Sequence, residues 1–195
     1  TPDGQKLIGS TSVRILAVHG DRPVLVMLGD QYSSSSREII ESQLGQALDE
    51  LGMEATIIDQ FDEDAGFYDA LLSQYRDEGE MVLWLGDIME AGPQAAFKRF
   101  LERGGRLLLS SFEFTEDPDA QGFIEDMLHV VRTRPLALSA LRTLYLRDPA
   151  EFNVEHHWLE MEPPAEPLLL NPDYHPVGLR LDTGVYRTVY MPFDL

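Results

Sequence analysis

Ser33, Ser34, Ser35 and Ser36 follow a short apolar run and lead into a helix-forming stretch. A strand-to-helix turn of that kind offers unpaired backbone amides to an anion, the arrangement that holds a flavin phosphate in flavodoxin-like proteins. With Asp30 just ahead of them and Asp87 in a second Gly-Asp pair, these are the candidate ligand-binding positions. The loop lacks the interleaved Thr and Gly of a flavin phosphate loop, and Asp30 would repel a phosphate, so helix capping is the preferred role for the serines. A second constellation is Ser110-Ser111-Phe112-Glu113, placed after an apolar run where a nucleophile elbow would fall. Its base would be His156 or His157, with Glu155 and Glu160 to orient the ring, giving a Ser-His-acid hydrolase. The small flanking residues of a strained elbow are missing, because Leu109 and Phe112 stand there.

The group Glu155, His156, His157 and Glu160 also contains metal-ligand types, but it matches no zinc spacing and no metal is expected. The run from Asp117 to Gly122 resembles half of a calcium loop, yet Leu128 occupies the twelfth position, where a bidentate Glu is required. Capping of the following helix by Asp119 is the better reading. Phe61-Asp62-Glu63-Asp64 reads as a solvated acidic loop.

Composition narrows the function classes. The 195 residues carry 34 acidic and 15 basic side chains, a formal charge of −19, with Lys only at Lys6 and Lys98. Such a chain cannot neutralise a run of phosphates, so nucleic acid and anionic lipid are excluded as extended partners. The absence of Cys removes disulfides and thiolate chemistry. A hydrophobic fraction of 44% argues against a disordered acidic tail, and no apolar run approaches a membrane span, so no membrane insertion is expected. Thr1 has no signal-peptide pattern behind it and reads as a cut inside a longer protein.

The elements that would position these residues follow from periodicity. Alternation over 11–18 predicts one strand, read as the last strand of a preceding β-sandwich; residues 1–20 are assigned to it and its linker, and 21–195 to an α/β domain. Continuous apolar runs at 24–28, 55–58, 81–85 and 106–109 predict parallel strands covered on both faces. Between them fall helices. The first opens with Ser35 and Glu38 at capping-box spacing, turns Ile40, Leu44, Ala47, Leu48 and Leu51 inward, and stops at Gly52. The second covers 66–76; the third has Pro93 in its first turn and turns Phe97, Phe100 and Leu101 inward. A fourth helix is expected over 119–131, mostly loops over 135–176 with one strand at 143–146, and a hairpin of 177–181 and 185–191 around Asp182-Thr183-Gly184. The fold class is therefore α/β: a doubly wound, mostly parallel flavodoxin-like sheet with helices on both faces and a C-terminal β-hairpin. Ligands would bind at the carboxyl ends of its strands.

Several phrases carry a resemblance: Asp30 with its Ser-rich loop; Leu48-Asp49-Glu50-Leu51-Gly52-Met53-Glu54; Val82-Leu83-Trp84-Leu85-Gly86-Asp87; the stretch from Phe100 to Ser110; Phe123 to Val130; and Tyr186 to Asp194. They resemble class I glutamine-amidotransferase-like domains of large secreted bacterial proteins, found beside peptidase and immunoglobulin-like modules. The resemblance implies an extracellular or cell-envelope setting, with neighbouring domains of the parent chain, protein or carbohydrate as partners. It also implies a Cys nucleophile in active members; with no Cys here, only a Ser variant at Ser110 or Ser111 remains. The expectation is a non-catalytic structural or recognition domain without a cofactor. The alternatives are a Ser-dependent hydrolase at the elbow, and flavin or phosphate binding at the Ser-rich loop.

Overall fold

In the computed structural model the described residues are 15–18, 23–28, 34–58, 65–75, 81–86, 91–111, 114, 117–143 and 151–193; for 15–18, 23, 34–37, 65, 91, 135–143 and 151–156 the backbone alone is described. The strands are β1 (Ile15–Val18), β2 (Pro23–Leu28), β3 (Glu54–Ile58), β4 (Met81–Leu85), β5 (Arg106–Ser110), β6 (Val130–Thr143), β7 (Glu151–Met161), β8 (Glu166–Leu170), β9 (Pro176–Asp182) and β10 (Arg187–Met191). The α-helices are α1 (Ser34–Glu50), α2 (Ala65–Leu72), α3 (Ala91–Glu102) and α4 (Gln121–Leu128).

All ten strands lie in one sheet, ordered β1-β3-β2-β4-β5-β10-β9-β8-β6-β7. From β3 to β10 each neighbour is parallel, so these five strands form the doubly wound flavodoxin-like body, with β9 and β10 as its antiparallel C-terminal hairpin. Ile15–Val18, within the strand expected over 11–18, is the antiparallel edge strand against β3.

The apolar runs become parallel strands because each is buried on both faces. Leu25 and Met27 of β2, Val82 and Trp84 of β4, and Leu107 and Leu109 of β5 point into a large core with α2, α3 and α4. Val24, Val26, Leu28, Leu83 and Leu85 point the other way, into a smaller core that Leu48 of α1 closes with Ile40 and Leu44 against it. Trp84 anchors the larger core: its indole N–H donates to Gly86 O at 2.8 Å, and the Phe97 ring meets it edge-on at 5.5 Å. Burying such a ring stabilises by more than area alone, and the satisfied N–H keeps the gain.

Helix ends are set by backbone sterics. Gly52 sits at φ +65, where the Met53 N–H reaches Leu48 O at 2.9 Å and closes α1. The inward stripe of α1 runs through Glu41, Gly45 and Leu48, while Leu51 is 67% exposed and Ala47 also faces solvent, a correction to the expected stripe. Leu51 lies past Glu50, the last residue of α1, so the helical stripe no longer positions it. α4 stops at Leu128, short of the expected 131, because His129 turns left-handed at φ 55 and donates its N–H to Ile124 O. Asp117, not Asp119, is the capping side chain, accepting from Asp119 N at 2.9 Å at the head of a short 3-10 turn.

The largest departure lies in 135–176, expected to be mostly loop. Its described residues 135–143 and 151–161 belong to the long ribbon β6–β7 and 166–170 to strand β8, continuing the sheet beyond β9, while 144–146 of the expected strand lie outside the described residues. The prolines are accommodated at irregular points: Pro135 falls in the register shift between Arg134 and Ala137, Pro163-Pro164 in the β7–β8 turn, Pro167 beside another shift, and Pro176 at a strand start. Proline forbids helix there, but a strand tolerates it at bulges and ends. The hairpin loop is one step longer than expected, since β10 starts at Arg187 and Val185 lies exposed in the loop.

Gly105 leads into β5, and a Cβ there would lie 2.6 Å from Cδ1 of the buried Phe100 ring. Gly105→Ala should therefore cost about 1–3 kcal/mol of overpacking. Urea unfolding should show a lower midpoint with an unchanged slope; an unchanged midpoint would mean that the ring swings aside freely.

Candidate functional site

The fold directs attention to the carboxyl ends of β2 and β4, where the strand order reverses. Asp30, Ser33 and Asp87 follow these strands in the sequence and lie outside the described residues, as do the side chains of Ser34, Ser35 and Ser36, whose backbone forms the first turn of α1. The acidic run 61–64 and the side chain of His156 also lie outside the described residues.

Ser110 and Ser111 are fully described, and both are 0% exposed. Ser110 Oγ donates to Phe193 O at 2.6 Å, and Ser110 O accepts from Gly86 N at 2.7 Å. Ser111 N donates to Met191 O at 3.1 Å, while Ser111 Oγ accepts from Phe114 N at 3.2 Å. The pair thus ties the ends of β4, β5 and β10 together and seats Phe114 in the core against Phe123 and Tyr190. A hydroxyl has one proton, and here that of Ser110 is directed at the Phe193 carbonyl.

His157 stands on β7, separated from β5 in the sheet order by β10, β9, β8 and β6. Its Nδ1 lies 3.2 Å from the Arg134 carbonyl of the neighbouring strand. Glu160 is three residues on, so the strand turns it to the opposite face from His157. There it pairs with Arg134 at 3.1 Å. His157 and Glu160 thus lie on opposite faces, the side chains of Glu155 and His156 are outside the described residues, and the described residues contain no cluster of His, Asp and Glu fit to hold a metal. On the Glu160 face, Arg134 lies over the Trp158 ring at 5.5 Å and His175 stacks on it at 4.6 Å, a packed polar-aromatic group unmarked by any motif.

A second place missed by motif reading is a groove of about 760 Å³ over the amino-terminal ends of β5 and β10. Met81, Leu108 and Val189 give it apolar surface, and Arg106, Arg180, Arg187, Glu166 and Asp182 give it charge. Arg180 pairs with Glu166 at 2.6 Å, and Arg187 with Asp182 at 2.7 Å. The N–H of Gly184 and then the Arg187 guanidinium hold the Asp182 carboxyl below its ordinary value, with Arg106 adding to the effect. The available sequence signal was the alternation of Arg180 and Asp182 with Leu179 and Leu181, which puts charge on one side of an otherwise apolar strand.

Together these features define a doubly wound flavodoxin-like α/β domain with a closed, hydrogen-bonded Ser pair at the strand ends. No family model and no curated protein matches the chain. Solved structures do. A ThuA-like protein from Bacteroides uniformis is similar over 90% of this chain and 83% of its own, with a TM-score of 0.56 and 15% identity. An exo-β-1,4-mannosidase from Opitutaceae bacterium strain TAV5 is similar over 89% of this chain, with a TM-score of 0.57 and 16% identity, but over only 31% of its own length. An α-L-fucosidase isoenzyme 2 from Paenibacillus thiaminolyticus is similar over 90% of this chain and 30% of its own, with a TM-score of 0.56 and 13% identity. The chain therefore shares the class I glutamine-amidotransferase-like fold of ThuA-like proteins and of a part of larger glycosidases.

Two measurements check this site. Ser110→Ala leaves the Phe193 carbonyl without its donor and should lower unfolding stability by about 1–3 kcal/mol. Because the Asp182 pKa is depressed, its contribution to the hairpin is present above the ordinary carboxylate value and is lost as pH falls through the folded value. A carbon-13 titration should place the Asp182 midpoint below 3.8, and Arg187→Ala should raise it without restoring it fully, since the Gly184 N–H remains. A midpoint at 3.8 or above in the unaltered chain would refute that arrangement.

Proposed function

We propose that this chain is a non-catalytic structural or recognition domain of a larger secreted or cell-surface bacterial protein. The observation that carries the reading is the state of the elbow serines: both are buried, and the Ser110 proton is spent on a main-chain carbonyl. A nucleophile must meet a substrate and pass a proton to a base, and a sealed hydroxyl that staples strand ends does neither. The hydrolase alternative would require the carboxyl ends of β5 and β10 to separate first.

The accessory role is supported by the similarity to segments of a mannosidase and a fucosidase, in each of which the shared fold is about a third of the chain. Chains of that kind act on carbohydrate, and a domain beside such a catalytic unit would pack against it or recognise protein or carbohydrate near it. Neighbouring domains of the parent chain are the first partners of this reading.

A serine-reactive fluorophosphonate should leave Ser110 and Ser111 unmodified when the folded protein is digested and mapped by mass spectrometry. An adduct on either residue, lost in the corresponding alanine variant, would overturn the non-catalytic reading in favour of the hydrolase.

A further inference from the structure

Among the described residues the two faces of the parallel body are covered unequally. On one face α2, α3 and α4 lie over the sheet, and Leu107, Leu109, Tyr190, Leu179 and Leu181 point into their core. The residues between them must point the other way, because side chains alternate along a strand. On that second face α1 covers β2, β3 and β4 through Leu48, Ile40 and Leu44, and Met81 and Leu108 lie at the margin of its cluster. Beyond that margin the groove opens over β5, β10, β9 and β8.

Strand register fixes what the groove presents. Arg106 stands beside Arg187, and Arg187 beside Asp182, in one row across β5, β10 and β9. Leu108, Val189, Arg180 and Glu166 form the next row, reaching β8. Arg187 is paired with Asp182 and Arg180 with Glu166, while Arg106 has no ion-pair partner among the described residues. The floor therefore joins half-buried aliphatic surface to three arginines facing two carboxylates, on a chain whose formal charge is −19. Two arginines side by side on adjacent strands repel each other, and an incoming carboxylate relieves that repulsion.

We propose that this groove is the docking site for an amphipathic helix of a neighbouring polypeptide, laid beside α1 with its aliphatic stripe on Leu108 and Val189 and a carboxylate on its flank at Arg106. A helix is the complement because a sheet with this pattern is normally covered by helices on both faces, and α1 already supplies half of that layer. Acidic flanks follow from the excess of arginine over carboxylate in the two rows. The groove is at the amino-terminal ends of the parallel strands, away from the carboxyl ends that hold ligands in such folds, which suits a scaffold contact. The proposal deepens the recognition role given above by naming the partner's chemistry, and it rests on that reading.

The test uses the chain as it stands and a synthetic helical peptide with a leucine stripe flanked by glutamates, alongside a twin with lysines in place of the glutamates. Binding is followed by calorimetry and by amide chemical shifts. The glutamate peptide should bind saturably and shift Leu108 and Val189, and the lysine twin should bind at least about tenfold more weakly, the worth of one charge-assisted contact. Arg106→Glu should invert that preference; Arg106→Gln, a milder change for which folding is easier to retain, should reduce it. Equal binding of the two peptides, shifts confined to other surfaces, or no binding by a folded protein would overturn the proposal. So would a dimer of the unliganded chain in sedimentation equilibrium that Arg106→Glu dissolves, since the groove would then belong to a second copy. The fluorophosphonate result is independent of all these outcomes, so a failed docking site leaves the non-catalytic reading standing.

Discussion

The structure depends on burying a parallel sheet from both sides. A parallel strand in the middle of a sheet has its backbone groups satisfied by its neighbours, but each of its faces needs an apolar layer. Val24 to Leu28 and Val82 to Leu85 meet that need by sending alternate side chains into two different cores. The helices follow from it: α2, α3 and α4 pack as one layer, α1 as half of another. Among the described residues the other half of that second layer is open, and the groove lies there.

The Ser pair shows how one local sequence can serve chemistry or architecture depending on what surrounds it. Ser110 and Ser111 lie at the end of β5, where hydrolase-like sheets expose a nucleophile. Here the carbonyl of Met191 arrives from the C-terminal strand and that of Phe193 from just beyond it, with the amide of Phe114 from the following turn, and they pair with Ser111 N, Ser110 Oγ and Ser111 Oγ in that order. Buried polar groups must be paired, and a hydroxyl that satisfies a carbonyl inside a core stabilises it only while it stays there. The same bonds hold β4, β5 and β10 together at their carboxyl ends.

Charge is distributed by the sheet as well. Arg106, Arg180 and Arg187 come together on one face because three adjacent strands present alternate residues to it. The exposed ion pairs within that row contribute little to stability. Their effect is on what the face attracts, which in a chain of charge −19 is unlike the rest of the surface.

The parallel body and its helices were legible in the amino-acid order because their signals are local: continuous apolar runs for strands buried on both faces, helical spacing of Phe97, Phe100 and Leu101, and glycine at Gly52 where the chain must turn left-handed. The hairpin around Asp182 to Gly184 was legible for the same reason. The ribbon β6–β7 was hidden, since its prolines rule out helix without saying that bulges will absorb them into strands. Only the tertiary structure could decide the state of Ser110, because its partner Phe193 lies 83 residues away. It alone could set His157 and Glu160 on opposite faces of a strand, and gather three separate arginines into one groove. Local order dictates which elements form; the hydrogen bonds and charges that turn a surface into a site depend on residues that only folding brings together.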